Sequence, residues 1–283
     1  MATLDDIILK EGNPFDPITF TTGNFWTDNQ PTSSLVESIH QEAINQVTET
    51  LVEMKKDHAT RSIILEGDRG SGRSYLLGRL KKKLNSEAFF AYIEPWPSND
   101  YMWRHTLRYV VNSLIYTPKG QQESQLLLWL KSLPVFYDQG LIKLLLGERK
   151  AFINQLTTQY PHLDQAQQFF SILYELTQPD KSFLAYQWLR GDDLSEEDLE
   201  NLGVHRAIDD EVIARLILGN FGKITDATIP IVLCFDQVEL GPQLSNGSRD
   251  ISGFFKINTT FHNNQFKNFL VIISIERNNW NRY

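Results

Sequence analysis

The chain has 283 residues, 41% hydrophobic and 22% charged, enough for one large α/β domain or two small ones and ordinary for a soluble globular protein. Its formal charge of −8 argues against a protein whose whole surface coats nucleic acid, though not against a local basic patch. The single cysteine, Cys234, excludes an internal disulfide and suits a reducing compartment.

Residues 1–33 read as a lead-in, rich in Pro, Asn, Thr, Gly and aromatics over 11–33, with a short strand expected at Ile18-Thr19-Phe20. Its acidic start lacks the basic and apolar segments of a signal peptide. Ser34 and Glu37 have capping-box spacing, and Val36, Ile39, Ala43, Val47, Leu51 and Met54 recur at helical intervals, predicting a helix to about residue 56. A strand dense in branched aliphatics follows at 61–66, then a glycine-rich turn, a helix over 75–84 and a second strand over 88–93, ended by Pro95 and Pro97.

From about 100 to 223 the pattern is helical. One stripe holds Trp103, Leu107, Val110, Val111 and Leu114, and further helices are expected within 126–133, 141–156, 166–176 and 212–221, with Pro118, Pro134, Pro161 and Pro179 between them. Trp103 and Trp129 read as core. Strands return at 231–235 and 269–275, with a helix near 251–261. No apolar run approaches the ~20 residues that span a bilayer, so the expectation is a cytoplasmic protein without a membrane partner. The order predicts an α/β fold: a mostly parallel sheet between helical layers, with residues 34–99 and 226–283 as its core and 100–225 as a helical insertion.

The turn Gly67-Asp68-Arg69-Gly70-Ser71-Gly72-Arg73-Ser74 fits G-x-x-x-x-G-K-[ST] except that Arg73 replaces the lysine. Glycines let successive N–H groups point inward at phosphate oxygens, and the helix that follows adds its positive end. Residues 67 to 75, Tyr75 included, are therefore the candidate nucleotide-binding set. Ser74 is placed to hold Mg²⁺, and Arg73 to send a cation toward the β- and γ-phosphates. An arginine fork is longer and bulkier than an ammonium, which predicts slow or absent hydrolysis.

The run Ile231-Val232-Leu233-Cys234-Phe235-Asp236-Gln237-Val238-Glu239 is an apolar strand ending in acids. Ligands of parallel sheets gather at the carboxyl ends of strands, so Asp236 is expected beside the phosphate turn as a Mg²⁺ carboxylate and Glu239 as the group that polarises water. Cys234, inside the strand, reads as a small buried hydrophobe.

Residues 61–84 and 231–240 resemble the two signature motifs of P-loop ATPases of the AAA+ and STAND group, and Asp236-Gln237-Val238-Glu239 is similar to the D-Q-x-E segment of STAND ATPases, nucleotide switches of signalling and defence. The resemblance implies a P-loop NTPase core, ATP with Mg²⁺, Asp236 and Glu239 as the metal carboxylate and the following acid, and a sensor at the end of the 270–274 strand. Ser274 matches that sensor best, with Arg277 and Asn278 as alternatives. Gln237 stands where conventional AAA+ proteins carry the catalytic glutamate, which again implies slow turnover. Phe15, Phe25 and Trp26 resemble the adenine-side lead-in, and residues 188–208 resemble segments of phage-defence ATPases. The family adds a further strand and a helical lid beyond the sensor strand. With Tyr283 following so soon, a fragment of a longer protein or a site completed by a partner chain is expected.

Among the weaker signals, the six histidines have no paired spacing for zinc. The acids at 192–200 read as a solvated helix start rather than a calcium loop. The basic run Arg79, Lys81, Lys82, Lys83 reads as the wet end of a helix. The functional expectation is a slow ATP-dependent switch that binds ATP or ADP and couples to a protein partner, or to itself, through the helical region. A non-catalytic interaction module with a degenerate nucleotide site is one alternative. An origin-recognition-like DNA-remodelling ATPase, which the acidic balance does not favour, is the other.

Overall fold

The structure is a computed structural model that describes residues 25–26, 40–118, 120–132, 149–224, 229–263 and 266–280. Four strands, β1 (Arg61–Gly67), β2 (Phe89–Ile93), β3 (Ile231–Phe235) and β4 (Phe269–Glu276), form one sheet in the order β1-β4-β3-β2, every pair parallel. Parallel pairing brings all the carboxyl ends to one rim, so Gly67, Ile93, Phe235 and Glu276 end together. In β2, β3 and most of β4 every residue is buried, as continuous apolar runs require when both faces are covered. The edge strand β1 alternates between half-buried and exposed positions instead.

Side chains alternate across the sheet, and each face has its own core. On one face Phe90, Tyr92, Val232, Cys234, Leu270 and Ile272 pack against α1 (Gln41–Asp57) and α2 (Arg73–Leu84). The stripe Ile44, Val47, Leu51 and Met54 is the buried side of α1. The expected start of that helix near Ser34 and the strand at Ile18 lie outside the described residues.

The opposite face, including Phe89, Ala91, Ile93, Leu233, Val271 and Ile273, packs against α3 (Met102–Leu114), α4 (Gln125–Lys131), α5 (Arg149–Gln159), α6 (Ala166–Glu175), α7 (Ser182–Leu189), α9 (Glu211–Ile224) and α10 (Ser252–Asn263). A short helix, α8 (Glu196–Leu202), lies between α7 and α9, and α11 (Arg277–Trp280) closes the described chain. The segment read as an insertion thus shares one continuous core with the strands, and Trp129 is fully buried within it.

Polar contacts fix this second layer. Glu211 on α9 accepts from the backbone N–H of Trp103 and Arg104 at 2.6 and 3.0 Å, placing a carboxylate on the positive end of α3. The outer edge of β2 is closed by side chains: Gln125 accepts from Phe90 N–H at 2.9 Å, and Ser113 accepts from Tyr92 N–H at 3.0 Å. The acids at 192–200 do start a helix: Ser195 and Asp198 form a reciprocal capping box on α8, and Gly203 ends it in the left-handed region. Among the described residues no helix is long and apolar enough to cross a membrane.

Candidate functional site

At the carboxyl rim, β1 runs into the glycine-rich turn and the turn into α2. Gly70 and Gly72 have φ of +79° and +85°, a region that a Cβ disfavours. Asp68 O accepts from Ser71 N–H at 3.1 Å, which closes the loop, and Leu76 N–H bonds to Gly72 O as the first turn of α2 begins. The first N–H groups of a helix have no partner within it, so those of α2 are available to an anion. A Cβ at Gly67 would come within 2.5 Å of Ser71 Oγ, which accounts for the first glycine by packing.

The turn forms one wall of a cavity of about 480 Å³, within the range of small-molecule sites. Residues 69 to 75 line it from one side. Gln237, Glu239 and Leu240, leaving β3, line it from the other, with Glu276 at the end of β4. Arg73 and Glu239 meet across it, Nη2 donating to Oε1 at 2.6 Å, with side chains only 11% and 13% exposed. Arg73 Nη1 and Glu239 Oε2 are also buried, and neither has a partner. The chain enters the Val238–Leu240 turn through Gln237, itself left-handed at φ +53°.

Asp236 sits deeper, 1% exposed, and does not line the cavity. Its Oδ2 accepts from the Tyr92 hydroxyl at 2.7 Å and its Oδ1 from its own neighbour, Gln237 N–H, at 2.9 Å. Burial first, and the Asp236 charge second, push the Tyr92 hydroxyl far above its ordinary pKa, so it remains a donor. Burial likewise raises the Cys234 thiol; it is a packed core residue.

Ser274 is fully buried on β4, in register with Leu65, and its hydroxyl has no partner; it too is absent from the lining. Arg277 turns outward, donating to Glu66 at 2.9 Å and lying 3.9 Å from Asp68, and Asn278 is exposed. The structure therefore brings residues 69 to 75, Arg73 and Ser74 among them, and Glu239 to one cavity, leaves Gly67 and Asp68 outside its lining, and keeps Asp236 and Ser274 behind it. Of the aromatic lead-in, Phe25 packs on Tyr92 in the core, Trp26 stacks on Tyr116, and Phe15 lies outside the described residues. Lys81 of the basic run lies 5.3 Å from the Trp26 ring centroid.

Two residues that the sequence reading missed belong here. Tyr92, buried in β2, orients Asp236 across 144 residues of chain, and no local pattern marks that contact. Glu276 carried a signal, since it is the acid that ends an otherwise apolar strand, as Asp236 follows β3.

The donor set fits a phosphate more readily than a bare metal. Among the described residues no cluster of three or more His, Cys, Asp or Glu is arranged to hold an ion. Mg²⁺ beside phosphates needs only one or two protein oxygens, and Ser74 and Asp236 are of the right type. The unpartnered guanidinium nitrogen of Arg73, beside the N–H groups that open α2, is what a polyphosphate would satisfy. No family model matches the chain, and neither a curated protein nor a solved structure matches it.

Proposed function

We propose that this chain is an ATP-binding domain of the P-loop type, of the AAA+ and STAND kind, acting as a slow nucleotide-dependent switch. One observation carries the reading: a strand–turn–helix loop with two left-handed glycines shares a cavity with the acidic segment leaving β3, a parallel strand separated from β1 by β4 alone. In this reading the N–H groups of residues 70 to 74 bind the phosphates and Arg73 supplies the cation. Ser74 in the cavity wall and Asp236 behind it would hold Mg²⁺, which would neutralise phosphate charge when bound. Gln237 is no base, and Glu239 is already paired to Arg73, so turnover is slow.

Calorimetry with ATP, ADP and a non-hydrolysable analogue, followed by a turnover assay on the natural sequence and on Arg73→Lys, tests it. Binding with turnover well below ~1 s⁻¹, the low end of the usual enzyme range, is expected. Rapid hydrolysis by the natural sequence contradicts the slow-switch part, and the absence of binding contradicts the whole. Binding with no turnover in either protein would favour a non-catalytic interaction module, a reading that the Arg73–Glu239 pair also supports.

A further inference from the structure

We propose that Arg73 and Glu239 form a latch that closes the phosphate site until a nucleotide opens it. This rests on the nucleotide reading above and adds its regulation. The pair spans the cavity, joining the first residue of α2 to the short turn after β3. It is single-stranded: Arg73 Nη2 meets Glu239 Oε1, while the second nitrogen and the second oxygen are both buried without partners. A guanidinium fork is built for two parallel bonds, and a buried donor or acceptor left idle is costly.

A terminal phosphate offers three oxygens and can engage both nitrogens at once. The same phosphate repels Glu239, because two anions brought to one guanidinium in a low-dielectric pocket raise each other's energy. Charge is exchanged on Arg73: the carboxylate leaves as the phosphate arrives. Glu239 leaves on a short turn, Val238–Leu240, which Leu240 N–H to Gln237 O at 2.8 Å and Gly241 N–H to Val238 O at 3.0 Å close and which the buried Val238 side chain anchors at one end. Leu240 on this turn is 55% exposed, so its displacement changes the outer surface as well as the cavity.

The sign of the effect separates a latch from a simple water-orienting acid. Removing the charge of Glu239 frees Arg73 in advance, so Glu239→Gln is expected to tighten binding of ATP, and of inorganic triphosphate, by about tenfold or more. A carboxylate that only orients water leaves affinity unchanged or weaker and lowers turnover. Calorimetry on the full chain, natural and Glu239→Gln, reads the difference. Equal or weaker binding by the variant overturns the latch while leaving the nucleotide site in place. No binding by either folded protein overturns the nucleotide reading and the latch with it. Because Glu239→Gln leaves a buried arginine unpaired and can unfold the protein, hydrogen exchange on the natural sequence supplies an independent arm. On adding ATP the amides of Leu240 and Gly241 are expected to lose protection while those of residues 71–76 gain it. ATP binding without loss of protection at Leu240 and Gly241 overturns the latch.

Discussion

The two faces of the sheet differ in what they are made of and in what their carboxyl ends carry. The α1–α2 face is packed with aliphatic side chains such as Val47, Leu51, Leu76, Leu77 and Leu80. The opposite face is packed with large aromatics, among them Trp96, Trp129, Trp188, Phe169, Phe170 and Phe221. Alternation along the strands sends Tyr92, Asp236, Ser274 and Glu276 to the first face, where the phosphate turn lies. The aromatic face brings Ile93, Phe235, Ile273 and Ile275 to the same rim, and its one strand-end acid, Glu66 of β1, is already paired with Arg277. One side of the sheet therefore holds the molecule together, and the other leaves unpartnered polar atoms at the place where a ligand would satisfy them.

The largest effect is expected on the aromatic face. Trp129 is fully buried, 5.0 Å from the Phe221 ring in the centre of the second layer. Trp129→Ala should destabilise the fold by about 3–5 kcal/mol, read from the urea midpoint. ATP affinity of the protein that remains folded should not change. A selective loss of affinity at unchanged stability would break the division between the faces.

A smaller effect, of a different kind, is expected on the other side. Tyr92→Phe removes the hydroxyl that bonds Asp236 at 2.7 Å and leaves a buried carboxylate oxygen with one donor fewer. The loss in stability should be about 1–3 kcal/mol. If Asp236 serves the metal, affinity for MgATP should fall more than affinity for ATP measured in a chelator. Equal losses in the two titrations would make Tyr92 a stabilising contact alone.

How much of this could be read from the sequence follows the same division. Strand β3 was legible to the residue, and β4 to within one, because strands buried on both faces are continuous apolar runs. The phosphate turn was legible because its glycines answer a local backbone need at fixed spacing. The Arg73–Glu239 and Tyr92–Asp236 contacts were not, since each joins residues more than a hundred positions apart and depends on which strands are neighbours. Helix α7 escaped for another reason: Ser182–Leu189 is short and its apolar residues form no clean stripe. Where it is described, the long segment is mainly helical as its periodicity predicts, the 141–148 half of one expected helix lying outside the described residues, but its role as the second layer of the sheet is a property of packing that periodicity does not contain.

The smallest effect lies where the aromatic layer meets the rim, at His105. Its Nε2–H donates to the Glu94 carbonyl at 2.9 Å, and its ring stacks on Tyr109 at 4.4 Å. Burial lowers its pKa, more than the Glu94 contacts raise it, and the nearby Arg108 charge acts in the same direction as burial. A group whose folded pKa is depressed contributes stability above its unfolded value, near 6.5, and loses it as pH falls through the folded value. Between pH 7.5 and 5.5 the unfolded chain takes up a proton that the fold resists, so stability should decline by less than ~1.4 kcal/mol per pH unit from this residue. His105→Gln keeps a donor for Glu94 and cannot titrate. Comparing the urea midpoints of the two proteins at both pH values isolates the contribution. A decline of equal size in the variant would show that the pH sensitivity arises elsewhere, and that this junction between the faces is electrostatically silent.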